Sequence, residues 1–263
     1  MLIDIGANLT HESFQSDIKS VILRAKESYI NQIIVTGSSL NNSSEAEKLT
    51  KEFDSLYSTA GIHPHHAEET NNQIMEKIEE ITRFPKVVAI GETGLDFYRN
   101  FTPADVQISS FEKHLELAEK SELPMFLHER DAHKKFEEIL SSHRSQLGNV
   151  VVHCFTGDRK ALFKYLDLDC FIGITGWICD ERRGENLQKL VKEIPKNRLM
   201  IETDAPYLMP RTLSPRPKNR RCEPMHLNEI CHQIALHTGK SFNYWAKNTS
   251  DNARLFFALP ENK

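Results

Sequence analysis

Four apolar runs in this sequence stop on side chains that can hold a cation. Leu199-Met200-Ile201 runs into Glu202-Thr203-Asp204 before Pro206, Val87-Val88-Ala89-Ile90-Gly91 ends on Glu92, Pro124-Met125-Phe126-Leu127 on His128, and Val150-Val151-Val152 on His153. An ionised carboxylate at the end of a buried strand is costly unless a cation or strong donors compensate it. Imidazoles and carboxylates without a thiolate suit Mg²⁺, Mn²⁺ or Zn²⁺ rather than Cu(I) or an iron–sulfur cluster. Such an ion acidifies its water and polarises the bond under attack, and a pair of ions can clamp both the attacking and the leaving oxygen. In that chemistry Asp204 reads as a ligand and as the general base for the attacking water, and Glu92 as the natural bridging ligand.

Something must bring these distant residues together. Short runs rich in Val and Ile alternate with longer amphipathic stretches, the pattern of repeated βα units and a parallel sheet. Eight strands are expected, at Leu2–Ile5, Gln32–Thr36, Tyr57–Gly61, Val87–Gly91, Pro124–His128, Val150–His153, Cys170–Ile174 and Leu199–Glu202. Between them Ile18, Val21, Ile22 and Ala25 fall on one helical face, as do Phe111, Leu115 and Ala118. His226–Thr238 and Phe242–Phe256 read as closing helices. Eight units in 263 residues is the size of an α/β, (β/α)₈ TIM barrel, and no Pro/Gly/Ser-rich linker divides the chain. A doubly wound sheet would show a Gly-rich turn after the first strand, where Gly6-Ala7-Asn8-Leu9-Thr10 offers one glycine. In a barrel the carboxyl ends of all strands share one mouth, so Glu92, His128, His153 and Asp204 converge from strands four, five, six and eight. A lone histidine at a strand end is usually a packing residue. Ligand types at four strand ends in register are poorly explained that way.

Composition narrows the alternatives. With 39% hydrophobic residues the chain can bury a substantial core, and a net charge of −4 argues against a general nucleic-acid-coating surface. The five cysteines form no CxxC pair, which disfavours a disulfide framework and a thiolate zinc site and fits a reducing cytoplasm. The first residues enter a strand-like run without a signal segment, and no apolar stretch is long enough to span a membrane, so a cytoplasmic protein without membrane contact is expected.

The stretches Asp4-Ile5-Gly6-Ala7-Asn8, Gly61-Ile62-His63-Pro64-His65, Ile90-Gly91-Glu92-Thr93-Gly94-Leu95-Asp96, His128-Glu129-Arg130-Asp131, His153-Cys154-Phe155-Thr156-Gly157 and Glu202-Thr203-Asp204-Ala205-Pro206-Tyr207 resemble the TatD family of metal-dependent deoxyribonucleases over essentially the whole chain. The resemblance implies one TIM-barrel metal-dependent nuclease domain over residues 1–263 and a 3′→5′ exonuclease acting on single-stranded DNA and RNA, in DNA repair or nucleic-acid turnover. It implies metal ligation by Glu92, His128, His153 and Asp204, with Asp204 and Glu92 catalytic, and usually Mg²⁺, Mn²⁺ and Zn²⁺ being alternatives. His63, Asn8, Arg130 and Glu202 are expected to bind the substrate, single-stranded 3′ ends, and a monomer is expected. Most members carry a His-x-His pair on the first strand, where this chain has Gly6 and Asn8. Gly6 cannot ligate and Asn8 offers only an amide oxygen, which shifts the balance from Zn²⁺ toward oxygen-preferring Mg²⁺.

Arg211, Arg216, Lys218, Arg220 and Arg221 follow the eighth strand, and Arg182-Arg183 the seventh. They read as a solvated loop or as a hold on a nucleic-acid backbone. Trp177, Phe97 and Tyr98 read as packing residues or as stacking partners for unpaired bases. Two other classes use the same ligands: a hydrolase of a small amide, ester or lactone, marked by a closed apolar pocket, and a noncatalytic nucleic-acid-binding barrel. The retained Glu92, His128, His153 and Asp204 argue against the latter.

Overall fold

Val- and Ile-rich runs that are apolar at successive positions belong in parallel strands covered on both faces, and they form such strands here. The computed structural model describes residues 1–215, 217–218 and 220–261. Its strands are β1 (Leu2–Ala7), β2 (Ile30–Val35), β3 (Leu56–Ala60), β4 (Val87–Asp96), β5 (Met125–Arg130), β6 (Val150–Val152), β7 (Phe171–Ile174) and β8 (Leu199–Ile201). They follow chain order through one parallel sheet, with helices between them, so the (β/α)₈ expectation holds.

The chain divides into two compact units: Met1–Val35, Cys154–Asp158 and Ile172–Lys263 form the first, and Thr36–His153 with Arg159–Phe171 the second. In the first, β7 pairs with β8 and β1 with β2, and a parallel bridge between Ala7 and Ala205 joins the ends of β1 and β8. The helices Leu227–Thr238 and Phe242–Phe257 complete it where the periodicity predicts them, the first stopped by Gly239 at φ 67 and the second capped by the Ser241 hydroxyl.

In the second unit β3, β4, β5 and β6 pair in order. The helix Ala104–Ser121 buries Phe111, Leu115 and Ala118 as expected, and Phe111 stacks on Phe136 with ring centroids 5.3 Å apart. Two strands run further than their apolar stretches. β4 continues through Glu92 to Asp96 and β5 through His128 to Arg130, with Gly94 opposite His128 and Asp96 opposite Arg130. The extension depends on Gly94: at φ 142 it occupies backbone space open essentially to glycine, and a Cβ there would lie 2.0 Å from the His128 carbonyl oxygen. The expected ends of β4 and β5 are therefore corrected: His128 is held inside the β4–β5 ladder, and Glu92 sits at the register shift between Ile90 and Thr93.

Candidate metal centre

In the second unit the residues after β3 turn into a short 3₁₀ helix, Pro64–Glu69, capped by His63. Nδ1 of His63 accepts the backbone N–H of His65 at 3.0 Å. The preceding Ile62 N–H donates at 3.0 Å to Nε2 of His114, a buried histidine whose Nδ1 donates to the Ser110 carbonyl at 2.7 Å. Burial pushes both His63 and His114 down to about 4, so each is neutral at pH 7. With Nδ1 accepting, neutral His63 carries its proton on Nε2, 3.3 Å from Glu92 Oε1. Donor atoms of His63, Glu92 and His128 lie within 4.8 Å of one another. The proton on Nε2 nevertheless makes His63 a hydrogen-bond donor rather than a lone pair for a cation.

Glu92 stands at the centre. Its Oε1 is 2.7 Å from His153 Nε2 and 3.0 Å from His128 Nδ1, and those two nitrogens face each other at 3.4 Å. Four residues along β4, Asp96 places Oδ2 2.7 Å from His65 Nε2 and 3.5 Å from His128 Nε2. Gln107 clamps the Asp96 backbone, its Oε1 accepting the Asp96 N–H at 2.8 Å and its Nε2 donating to the carbonyl at 3.1 Å. Burial alone would raise the Glu92 carboxyl, but His153, His63 and His128 outweigh it and hold it well below its ordinary value. Asp96 is depressed in the same way by His128 and His65 against its burial. For His128, burial works downward while the carboxylates of Asp96 and Glu92 raise it on balance.

Each of these imidazole nitrogens can donate an N–H to the shared carboxylate oxygen, or give up that proton and turn its lone pair to a cation. The donor set of His128, His153 and Glu92 fits a divalent ion of the Mg²⁺, Mn²⁺ or Zn²⁺ class. Asp96 behind His128 is the kind of outer partner that fixes a ligating imidazole's tautomer.

The first unit builds a second cluster from oxygen and amide groups. The Asp204 N–H donates to the Gly6 carbonyl at 2.8 Å and the Asn8 N–H to the Ala205 carbonyl at 2.7 Å, which fastens the ends of β8 and β1 together. Asp204 sits at φ 55, a left-handed conformation that Asp tolerates better than most residues. Asn8 Nδ2 donates to Asp204 Oδ1 at 3.0 Å, which leaves the amide oxygen as the atom Asn8 can offer a cation. Beneath them Asp4 is fully buried and accepts from the Thr203 N–H at 2.9 Å and the Thr203 hydroxyl at 2.5 Å. Burial pushes its carboxyl up to about 8 despite those donors. Glu202, expected on the substrate, is fully buried, and its Oε1 accepts the Cys154 N–H at 2.6 Å.

The basic residues separate into engaged and exposed ones. Arg221 bonds Asp17 at 2.8 Å and Glu223 at 2.7 Å, and Arg211 bonds Glu181 at 2.8 Å. Arg216 lies outside the described residues. Arg130 faces the Tyr98 ring at 5.0 Å. Tyr98 is exposed and Phe97 half-buried, while Trp177 is half-buried beneath the Arg183 guanidinium at 4.5 Å. Sequence reasoning did not assign His65, Asp96, His114, Gln107 or Asp4 to the site. The signal for Asp96 was its four-residue spacing from Glu92, which shares a strand face only once β4 is known to continue.

A (β/α)₈ barrel that gathers imidazoles and carboxylates on its strands defines the class as a metal-dependent hydrolase barrel. A TatD homologue from Escherichia coli K12 superposes with a TM-score of 0.90 at 25% identity over 98% of both chains. A TatD family hydrolase from Entamoeba histolytica gives 0.88 at 26% identity over 97% of both. The family model described as TatD related DNase matches residues 3–258. The chain is 49% identical over 259 residues to the 3′-5′ ssDNA/RNA exonuclease TatD of a Rahnella species, covering 98% of each, and 44% identical to that of Pectobacterium parmentieri, covering 98% of this chain and all of the relative. The chain therefore belongs to the TatD related DNase family, hydrolases that act on nucleic acid. Among the described residues no helix is long and apolar enough to cross a membrane.

Proposed function

We propose that this chain is a divalent-metal-dependent exonuclease that shortens single-stranded DNA and RNA from the 3′ end. The observation that carries the reading is the convergence of His128 and His153 on Glu92 Oε1, at 3.0 and 2.7 Å, in a chain of this family. Glu92, His128 and His153 would hold one ion, and Asp204 is taken as a further ligand by the family resemblance. A bound divalent ion supplies Lewis acidity toward the phosphoryl oxygens and makes water more acidic.

The chain's own groups do the rest. Asp204, oriented by the Asn8 amide, accepts a proton from the attacking water. His63, neutral and protonated on Nε2, donates to a phosphate oxygen in place of Glu92. Arg130 counters backbone charge with its guanidinium. Glu202 contributes by fixing the Cys154 backbone, and Asn8 by fixing Asp204. With Gly6 and Asn8 in place of two imidazoles, oxygen donors favour Mg²⁺ over Zn²⁺. The chain acts as one domain and a monomer in the cytoplasm, in DNA repair or nucleic-acid turnover.

The test is digestion of single strands labelled at either end, with Mg²⁺ and with chelator, beside p-nitrophenyl esters. Metal-dependent loss of the 3′ label first is expected. Loss of the 5′ label first, efficient cutting of circular single strands, or turnover of the esters alone would overturn the reading.

A further inference from the structure

The loops after β7 and β8 enclose a cavity that no catalytic group occupies. It has a volume of about 600 Å³, within the range that holds a small ligand, and lies wholly in the first unit. The two loops touch at Gly176, where a Cβ would stand 2.1 Å from the Leu208 carbonyl oxygen. Any side chain at 176 would force these walls apart.

One wall is an aromatic and guanidinium pair. The buried Asp180 carboxylate accepts the N–H groups of Arg182 and Arg183 at 2.9 and 3.1 Å and bonds the Arg183 side chain at 3.3 Å. That clamp lays Arg183 across the Trp177 ring at 4.5 Å. Two planar groups are thus fixed together while most of the Arg183 side chain stays in solvent. The facing wall is apolar at 208–210, and its rim carries Lys218 and Arg220, both exposed and without an acidic partner among the described residues. Asp180 is already matched by Arg183 and Arg211, so the surplus charge on the rim is positive.

We propose that this cavity is a one-nucleotide subsite for the strand held by the enzyme. A base enters beside the Trp177–Arg183 pair and its phosphate is held by Lys218 and Arg220. Flat apolar walls accept any base face, and rim cations accept any phosphate, which suits a single strand without sequence readout. A paired base cannot enter such a slot without leaving its partner. This assignment rests on the nuclease reading for its substrate class, and the test separates the two.

Anisotropy of 5′-fluorescein-labelled hexathymidylate, with chelator present so that nothing is cut, reads binding to the wild type, to Trp177→Ala and to Lys218→Ala/Arg220→Ala. Trp177→Ala should bind roughly tenfold more weakly, the size of one base–aromatic stack. The double variant should also bind more weakly, with a salt dependence flattened by roughly one to two in log–log slope, as expected for two lost phosphate contacts on a single strand. Binding unchanged in both variants would overturn the subsite, as would equal competition by polyglutamate and hexathymidylate. Variants that lose affinity while the wild type cuts no nucleic acid with Mg²⁺ would uphold the subsite and defeat the nuclease reading. Unchanged binding with normal cutting by the wild type would do the reverse.

Discussion

The two units solve the same electrostatic problem with different donors. In the second unit four histidines, His63, His65, His128 and His153, surround Glu92 and Asp96, and each carboxylate meets imidazole nitrogens directly. In the first, Asp4 accepts from the Thr203 N–H and hydroxyl, Glu202 from the Cys154 N–H and Asp204 from the Asn8 amide. Imidazole nitrogens can exchange a proton for a metal ion, whereas Asp204 is oriented by a side-chain amide that has no such proton to give up. On the function proposed above, cation capture falls to the second unit and the positioning of a base to the first.

The widest separation should come from two isosteric changes. Glu92→Gln should cost both metal affinity and activity, the latter by roughly three orders of magnitude, since it removes the charge on which the ligands converge. Asp204→Asn should fold normally and lose activity by roughly 10²- to 10⁴-fold, the span of a general base, while losing less Mn²⁺ affinity than Glu92→Gln. Steady-state rates on a labelled oligonucleotide beside a metal titration distinguish them. Loss of metal binding in both variants to the same degree would dissolve the division of labour.

A smaller change should make the units more alike. Gly6→His with Asn8→His supplies the first unit with the imidazoles it lacks and should raise Zn²⁺ or Mn²⁺ affinity in the absence of nucleic acid, by roughly ten- to a hundredfold, because imidazole suits those ions better than an amide. The rate need not follow the affinity. Two tight sites already present in the wild type would show that other groups replace the missing pair.

The subtlest difference concerns stability. Asp4 has a folded-state value pushed up to about 8 by burial, against 3.8 ordinarily. The folded state therefore holds a proton that the unfolded chain releases earlier. That contribution is complete below about pH 4 and disappears as pH rises through about 8. Wild type should lose stability across this window more steeply than Asp4→Asn in urea melts. Parallel curves would mean that Asp4 does not carry the slope.

Much of this arrangement is written in local pattern. The Val-Val-Val run before His153 and the Leu-Met-Ile run before Glu202 announce strands because buried parallel strands need apolar residues on both faces, and the residue that ends such a run falls at the mouth. The continuation of β4 was hidden, because Glu92-Thr93-Gly94 has the composition of a turn, and only pairing with β5 makes it a strand. The partnership of His65 with Asp96 was hidden for the same reason. Arg221 read as a hold for phosphate because Asp17 and Glu223, which bond it, are remote or ambiguous in sequence. Charge type is legible from sequence, while the partner that cancels it is a tertiary fact.

The claim that the His128–His153–Glu92 cluster captures the ion is tested most directly by calorimetric titration of Mn²⁺ into wild type and Glu92→Gln without nucleic acid. Wild type should bind an ion with proton release, since His128 is raised above its ordinary value and must lose its proton to ligate, and the heat should vanish in the variant. Equal binding by the two proteins would contradict the account.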